Sequence, residues 1–194
     1  MSDTEVVLGF RPHTYWTAAV ALAGAAADPR VIVRHKIVFA AGPERSVYHH
    51  AAEAPEGTAE ALIERVRVAV VANATACLGA LLDLLKRDGL TARLAVAPTG
   101  GKKLPALAEI FRVHTLQHAA EGEFYRDCVA DACTALGLPL HRPVEREIIP
   151  LACDKLGLDR PALDARLKDM GAKLGPPWSE DQRLAALGAW LHLP

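Results

Sequence analysis

The chain has 194 residues, 51% of them hydrophobic, and its 22 basic and 23 acidic side chains leave a net charge of −1. So even a balance excludes avid non-specific adhesion to nucleic acid, which needs a field of Lys and Arg, while leaving room for a small basic groove. The length predicts a single domain over 1–194, and aromatics at only 5% predict an aliphatic core with many close contacts at Ala.

Cys77, Cys128, Cys133 and Cys153 are scattered and none forms a CxxC pair, which speaks against a zinc knuckle and implies no disulfide. No charged leader precedes an apolar run, and no stretch of about 20 apolar residues is evident. The expectation is a cytoplasmic, reduced protein with no membrane partner.

"EVVLGF" (5–10) reads as a buried strand, broken by the turn residues of "RPHTY" with Pro12. "WTAAVALAG" (16–24) and "VIVRHKIVFA" (31–40) read as two more strands, and the short turns between the three predict an antiparallel meander. A polar connection, "GPERSVYHHAAEAPEG", leads to Thr58, a candidate cap for a helix from about Ala59 to Asp88 that stops at Gly89. "TARLAVAP" (91–98) is a short buried strand ending at Pro98, followed by the loop "TGGKKLP". A second helix is predicted from near Thr115 to Leu136, and "HRPVEREI" is a candidate fifth strand. From about residue 151 the pattern is helical with Pro interruptions. The order βββαβαβα predicts a mixed five-stranded sheet, part antiparallel and part parallel, with helices on both faces.

That order resembles the ribonuclease H-like superfamily. "VLGFRPHTYWTAAVAL" is similar to the first hairpin of the Holliday-junction resolvases, where a strand ends in Gly, a hydrophobic residue, Asp, Pro and Gly. "SEDQRLAALGAW" looks like the superfamily's last helix, with Asp181 at the position of a divalent-metal ligand. The resemblance implies action on, or binding of, a phosphate-bearing ligand, nucleic acid included, with one divalent cation, and dimerisation through helices. This sequence departs from the pattern in three places. Arg11 stands where the first metal-binding Asp belongs, His13 replaces the Gly after the Pro, and "ARLAVAP" ends without the expected Glu. An Arg cannot ligate a cation, and a two-metal mechanism needs carboxylates on both sides.

Chemistry-bearing residues gather instead in "HTLQHAAEGEFYR" (114–126). On a helix His114, His118 and Glu121 share a stripe and could give three ligands to Zn, Mn or Mg, while Leu116, Ala120, Phe124, Cys128 and Ala132 form an apolar stripe. Gly122, costly within a helix, makes room for a ligand or another backbone. The plainer reading is a solvated helix face in which Thr115 caps the helix and Arg126 pairs with Glu123. In the "TGGKK" loop, the amides of Gly100 and Gly101 and the charge of Lys102 could cradle a phosphate. His49 and His50, being adjacent, point apart and are poor co-ligands for each other. The expected site is a composite of Arg11, His114, His118, Glu121 and Asp181 at the end of strands one and four, with His118, Glu121 and Asp181 in catalytic roles and Arg11 binding the phosphate. The competing expectation is a non-catalytic binding or assembly module in which Arg11 pairs with Asp181 or Glu121.

Overall fold

Two apolar runs, each buried on both sides, make the centre of a five-stranded sheet. In this computed structural model, which describes residues 4–39, 43–172 and 174–194, the strands are β1 (Thr4–His13), β2 (Trp16–Ala25), β3 (Asp28–Val38), β4 (Leu90–Val96) and β5 (Leu140–His141). Their order is β3-β2-β1-β4-β5, with β1–β2 and β2–β3 antiparallel and β1–β4 and β4–β5 parallel. This is the mixed sheet that the ribonuclease H-like resemblance implies. Val6, Leu8 and Phe10 of β1 point into one core with Ala19 and Ala21 of β2, while Val7, Val20 and Leu22 point into the other. Burial on both faces explains why these strands read as continuous apolar runs rather than alternating ones.

One face is covered by α1 (Val47–Ala52), α2 (Ala59–Arg87) and α4 (His114–Ala135), with α3 (Leu107–Arg112) beside α1 and α4. The apolar stripe read from the sequence settles there, with Ala120, Phe124, Cys128 and Ala132 buried. The other face is covered by α5 (Ile148–Leu156), α6 (Arg160–Ala172) and α7 (Glu180–Trp190). α7 lies so close to β1 that a Cβ on Gly9 would stand 1.9 Å from the Ala185 carbonyl oxygen. Trp190 is buried at its end and donates from Nε1 to the Ala26 carbonyl at 2.8 Å.

Several elements differ from the sequence reading. β1 continues through Pro12 to His13. His13 and Trp16 close a two-residue turn, so Pro12↔Thr17 is the next pair, in which neither residue bonds the other's backbone. The missing amide of Pro12 therefore faces the side where pairing with β4 has already ended at Gly9↔Val96. Thr58 does not cap α2; its hydroxyl donates to the Pro55 carbonyl at 2.7 Å. α4 begins at His114 with no side-chain cap, so Thr115 is helical. α1 lies within the stretch read as a polar connection, and α3 is an added helix. Of the candidate fifth strand "HRPVEREI" only His141 belongs to β5 and Val144 bridges to Thr99, while Glu145–Glu147 forms a 3-10 turn.

α2 is long and apolar enough, by length and composition alone, to cross a membrane, contrary to the reading that no such stretch exists. Here Val66, Val70, Ala74, Leu78, Leu81 and Leu85 line its sheet-facing side. The predicted end of the third strand at Ala40, the first residue of the polar connection, Gly42, and Lys173 in the C-terminal helical stretch lie outside the described residues.

Candidate functional site

At the ends of β1 and β4 a chain of alternating charges runs from one face of the sheet to the other. Arg11, near the end of β1, bonds Glu145 through Nη1, and its Nε stands 4.0 Å from Asp181 Oδ1. Asp181 lies in the first turn of α7, where the positive end of the helix dipole favours a carboxylate. Its Oδ1 also accepts from His13 Nε2 at 2.7 Å. The His13 ring is held by stacking on Trp16, with ring centres 4.3 Å apart and planes within 9°.

From Glu145 the chain passes to Arg126 at 2.8 Å, and Arg126 lies 3.9 Å from Glu123. Arg142 stands 3.8 Å from Glu123 and 2.8 Å from Asp127. Every carboxylate here already faces a cation. Among the described residues the buried Nε atoms of Arg11, Arg126 and Arg142 have no hydrogen-bond acceptor, and Arg142 Nη2 meets Asp127 as an ion pair without hydrogen-bonding geometry.

The "TGGKK" loop enters this network with its amides already engaged. Gly100 N donates to Glu123 Oε2 at 2.7 Å, Gly101 N to Thr99 Oγ1 at 3.2 Å, and the Thr99 hydroxyl donates to Glu123 Oε1. The Gly100–Gly101 cradle predicted for phosphate is thus filled by the protein's own side chains, while Lys102 and Lys103 remain exposed. A Cβ at 100 would stand 2.7 Å from Glu123 Oε2, so the Glu123 carboxylate would have to shift to admit one. At Gly122 the room is taken by the Arg126 guanidinium, 3.0 Å from where a Cβ would be, rather than by a ligand.

A second cluster sits where α1 meets the first turns of α4. The rings of His49, His114 and His118 lie 4.4 to 5.1 Å apart, centre to centre. One ligand atom from each falls within 4.8 Å of the others, an arrangement able to hold a metal ion. Glu121, only 4% exposed, lies behind them. Its Oε1 is 2.8 Å from His49 Nδ1 and its Oε2 3.6 Å from His118 Nδ1. α1 is held there by Val47 and Ala51 in the core and by the Tyr125 hydroxyl, which donates to the Arg45 carbonyl at 3.1 Å.

The expected composite site therefore divides in two. Arg11 and Asp181 do meet, and Arg11 pairs with Asp181 rather than with Glu121. His114, His118 and Glu121 belong to the other cluster, carried by helices on the face opposite α7. The catalytic grouping of His118 and Glu121 with Asp181 is corrected accordingly.

Helix geometry gives the reason. At about 100° per residue, His114 and His118 fall within about 60° of Glu121, whereas Glu123, Arg126 and Asp127 lie about 140–240° around the helix. Sequence reasoning missed His49, Arg142 and Glu145 as members of either group. The "YHH" pair was the only signal for His49, and nothing in "HRPVEREI" marked Glu145.

No family model and no curated protein sequence matches the chain. Among solved structures it is similar to RuvC of T. thermophilus in complex with a Holliday junction substrate, at 13% identity and a TM-score of 0.51, covering 97% of this chain and 92% of that one. It is also similar to RuvC of Thermus thermophilus in a second structure, at 13% identity and a TM-score of 0.52, covering 96% and 92%. Likeness at this identity is likeness of fold, and it runs nearly the full length of both chains. The chain thus has the ribonuclease H-like fold of these resolvases, with an arginine ion-pair network at the end of its first strand.

Proposed function

We propose that this protein binds a phosphate-bearing ligand, nucleic acid foremost, at the arginine-lined end of the sheet, and does so without two-metal phosphodiester cleavage. One observation carries the reading: Arg11 stands where the resemblance puts the first metal-binding Asp, engaged by Glu145 and Asp181. A two-metal centre needs free carboxylates around two cations about 4 Å apart. The donors present do not fit it. Asp181 is held by His13 and Arg11, Glu123 by Thr99, Gly100 and Arg142, and Glu145 by two guanidiniums. No step is routed through a metal at this end of the sheet.

Two features support recognition of phosphate in its place. The Nε atoms of Arg11, Arg126 and Arg142 have no hydrogen-bond acceptor among the described residues, and a phosphate oxygen reaching this end of the sheet would supply one. Lys102 and Lys103 stand exposed on the loop that leaves β4 into the same network. The RuvC neighbour carries a Holliday junction, which makes branched DNA the first ligand to try. The residues suited to a divalent cation are the three histidines beside α1.

Fluorescence anisotropy with a four-way junction and with linear duplex, at low and moderate salt, tests the reading. Binding should weaken as salt rises, and the Lys102→Glu/Lys103→Glu variant should bind about tenfold more weakly. Absence of binding at low salt, or binding that ignores the charge reversal, would make the network a purely structural device.

A further inference from the structure

We infer that His49, His114 and His118 form a binding site for one zinc-class transition-metal ion, oriented by Glu121 and separate from the arginine end of the sheet. This goes beyond the nucleic-acid reading and does not depend on it.

His114 and His118, one turn apart on α4, present two imidazoles along one line of the helix. A surface helix gains nothing by having a third brought against them, yet α1 sets His49 with its ring 5.1 Å from His114 and 4.7 Å from His118. Tetrahedral coordination at about 2.0–2.1 Å needs nitrogens about 3.4 Å apart. The ligand atoms already lie within 4.8 Å, and His114 and His118 are exposed, so small rotations of their rings close the difference.

A carboxylate stands behind the cluster. Glu121 is almost fully buried, and its Oε1 takes His49 at two points, Nδ1 at 2.8 Å and the backbone amide at 3.4 Å. A carboxylate that accepts Nδ1–H fixes the ring and its tautomer, leaving the Nε2 lone pair for a cation and making it more basic. Oε2 of the same carboxylate faces His118. Burying a carboxylate is costly unless it is paired, and His49 and His118 are the groups that face this one.

The donor set selects the metal. Three imidazole nitrogens suit Zn²⁺, Co²⁺, Ni²⁺ or Cu²⁺, whereas Mg²⁺ and Ca²⁺ prefer oxygen. Three protein ligands leave a fourth position open to water or to an anionic oxygen of a ligand.

The test uses the full chain without a histidine tag, stripped with chelator and then titrated with Zn²⁺ by calorimetry and with Co²⁺ by visible absorption. The expected result is one equivalent bound, with affinity at least 100-fold lower in His118→Ala and in His114→Ala. Glu121→Gln should keep the stoichiometry and lose about 10–100-fold in affinity. His50→Ala, an exposed neighbour outside the cluster, should bind as the unaltered protein does.

His114 and His118 are exposed, so their variants should fold, and circular dichroism checks this. No saturable uptake, or uptake unchanged in both of these variants, overturns the site. Unchanged affinity in a folded Glu121→Gln protein removes Glu121 from it. Junction binding by metal-free protein and by His118→Ala should match that of the unaltered protein, so failure of either reading is seen separately from failure of the other.

Discussion

Replacing Arg11 with Met removes the cation between Glu145 and Asp181 and keeps an unbranched apolar stem in its place. At 4.0 Å, with an effective dielectric constant near 20, the attraction between Arg11 and Asp181 is about 4 kcal/mol before desolvation and lost side-chain freedom are subtracted. Those costs take back most of it, because the three side chains retain only 19%, 24% and 28% of their exposure. Stripping the partner from a fully buried charge costs about 3–5 kcal/mol. Here Glu145 keeps Arg126 at 2.8 Å and Asp181 keeps His13 at 2.7 Å, so neither carboxylate is left alone.

The expected loss is therefore about 2 kcal/mol, or about 4–8 °C in Tm for a chain of this size. Urea unfolding followed by far-UV circular dichroism measures it. A double-mutant cycle with Glu145→Gln should return a coupling of about 1 kcal/mol that survives 0.5 M NaCl in part, since these groups are half-buried. A loss below about 0.5 kcal/mol, or a coupling erased by salt, would mean that Arg11 is an ordinary surface charge and not the keystone of the network.

Gly9→Ala should cost about 3 kcal/mol or more, because its Cβ would overlap the Ala185 backbone and α7 would have to move off the sheet; chemical denaturation reads this, and a neutral result would put the α7 contact in error. Burial pushes the Cys128 and Cys133 thiols up to about 12. In the folded protein at pH 8 both should resist alkylation while part-exposed Cys77 and Cys153 react, as peptide mass mapping would show.

Burial first, then His141, Lys155 and Arg93, pushes His192 down to about 4 from 6.5. The unfolded chain thus takes up this proton at a higher pH than the native one does, so the contribution to stability is complete above about 6.5 and lost as pH falls toward 4. Discounted for partial exposure it is about 1 kcal/mol, and His192→Gln should flatten that part of the stability profile; an unchanged slope would contradict it.

The sheet was legible because β1 and β2 are buried on both faces, which writes itself as unbroken apolar runs, and because α2 repeats its apolar stripe over 29 residues. α1 was not. At six residues it is too short for periodicity, and it is helical because Val47 and Ala51 pack under α4. The meeting of Arg11 and Asp181 could be read through the family resemblance.

Glu145 could not, since it reaches Arg11 only through the bridge that sets Val144 beside Thr99, a tertiary pairing with no local pattern. His49 was hidden for a related reason: its partners lie 65 and 69 positions away, and only the docking of α1 brings them together. The separation of the two clusters was available from the helical positions of Glu121 and Glu123 alone. It was obscured because "HTLQHAAEGEFYR" looks like one concentration of polar residues until it is wound.

The most direct test of the central claim, that Arg11 and its ion pairs stand in place of a two-metal centre, is to incubate the protein with labelled four-way junction DNA in Mg²⁺ and then in Mn²⁺ and resolve the products on native and denaturing gels. The account predicts a retarded junction and intact strands in both metals. Metal-dependent nicking by the unaltered protein, abolished by Asp181→Asn, would contradict it.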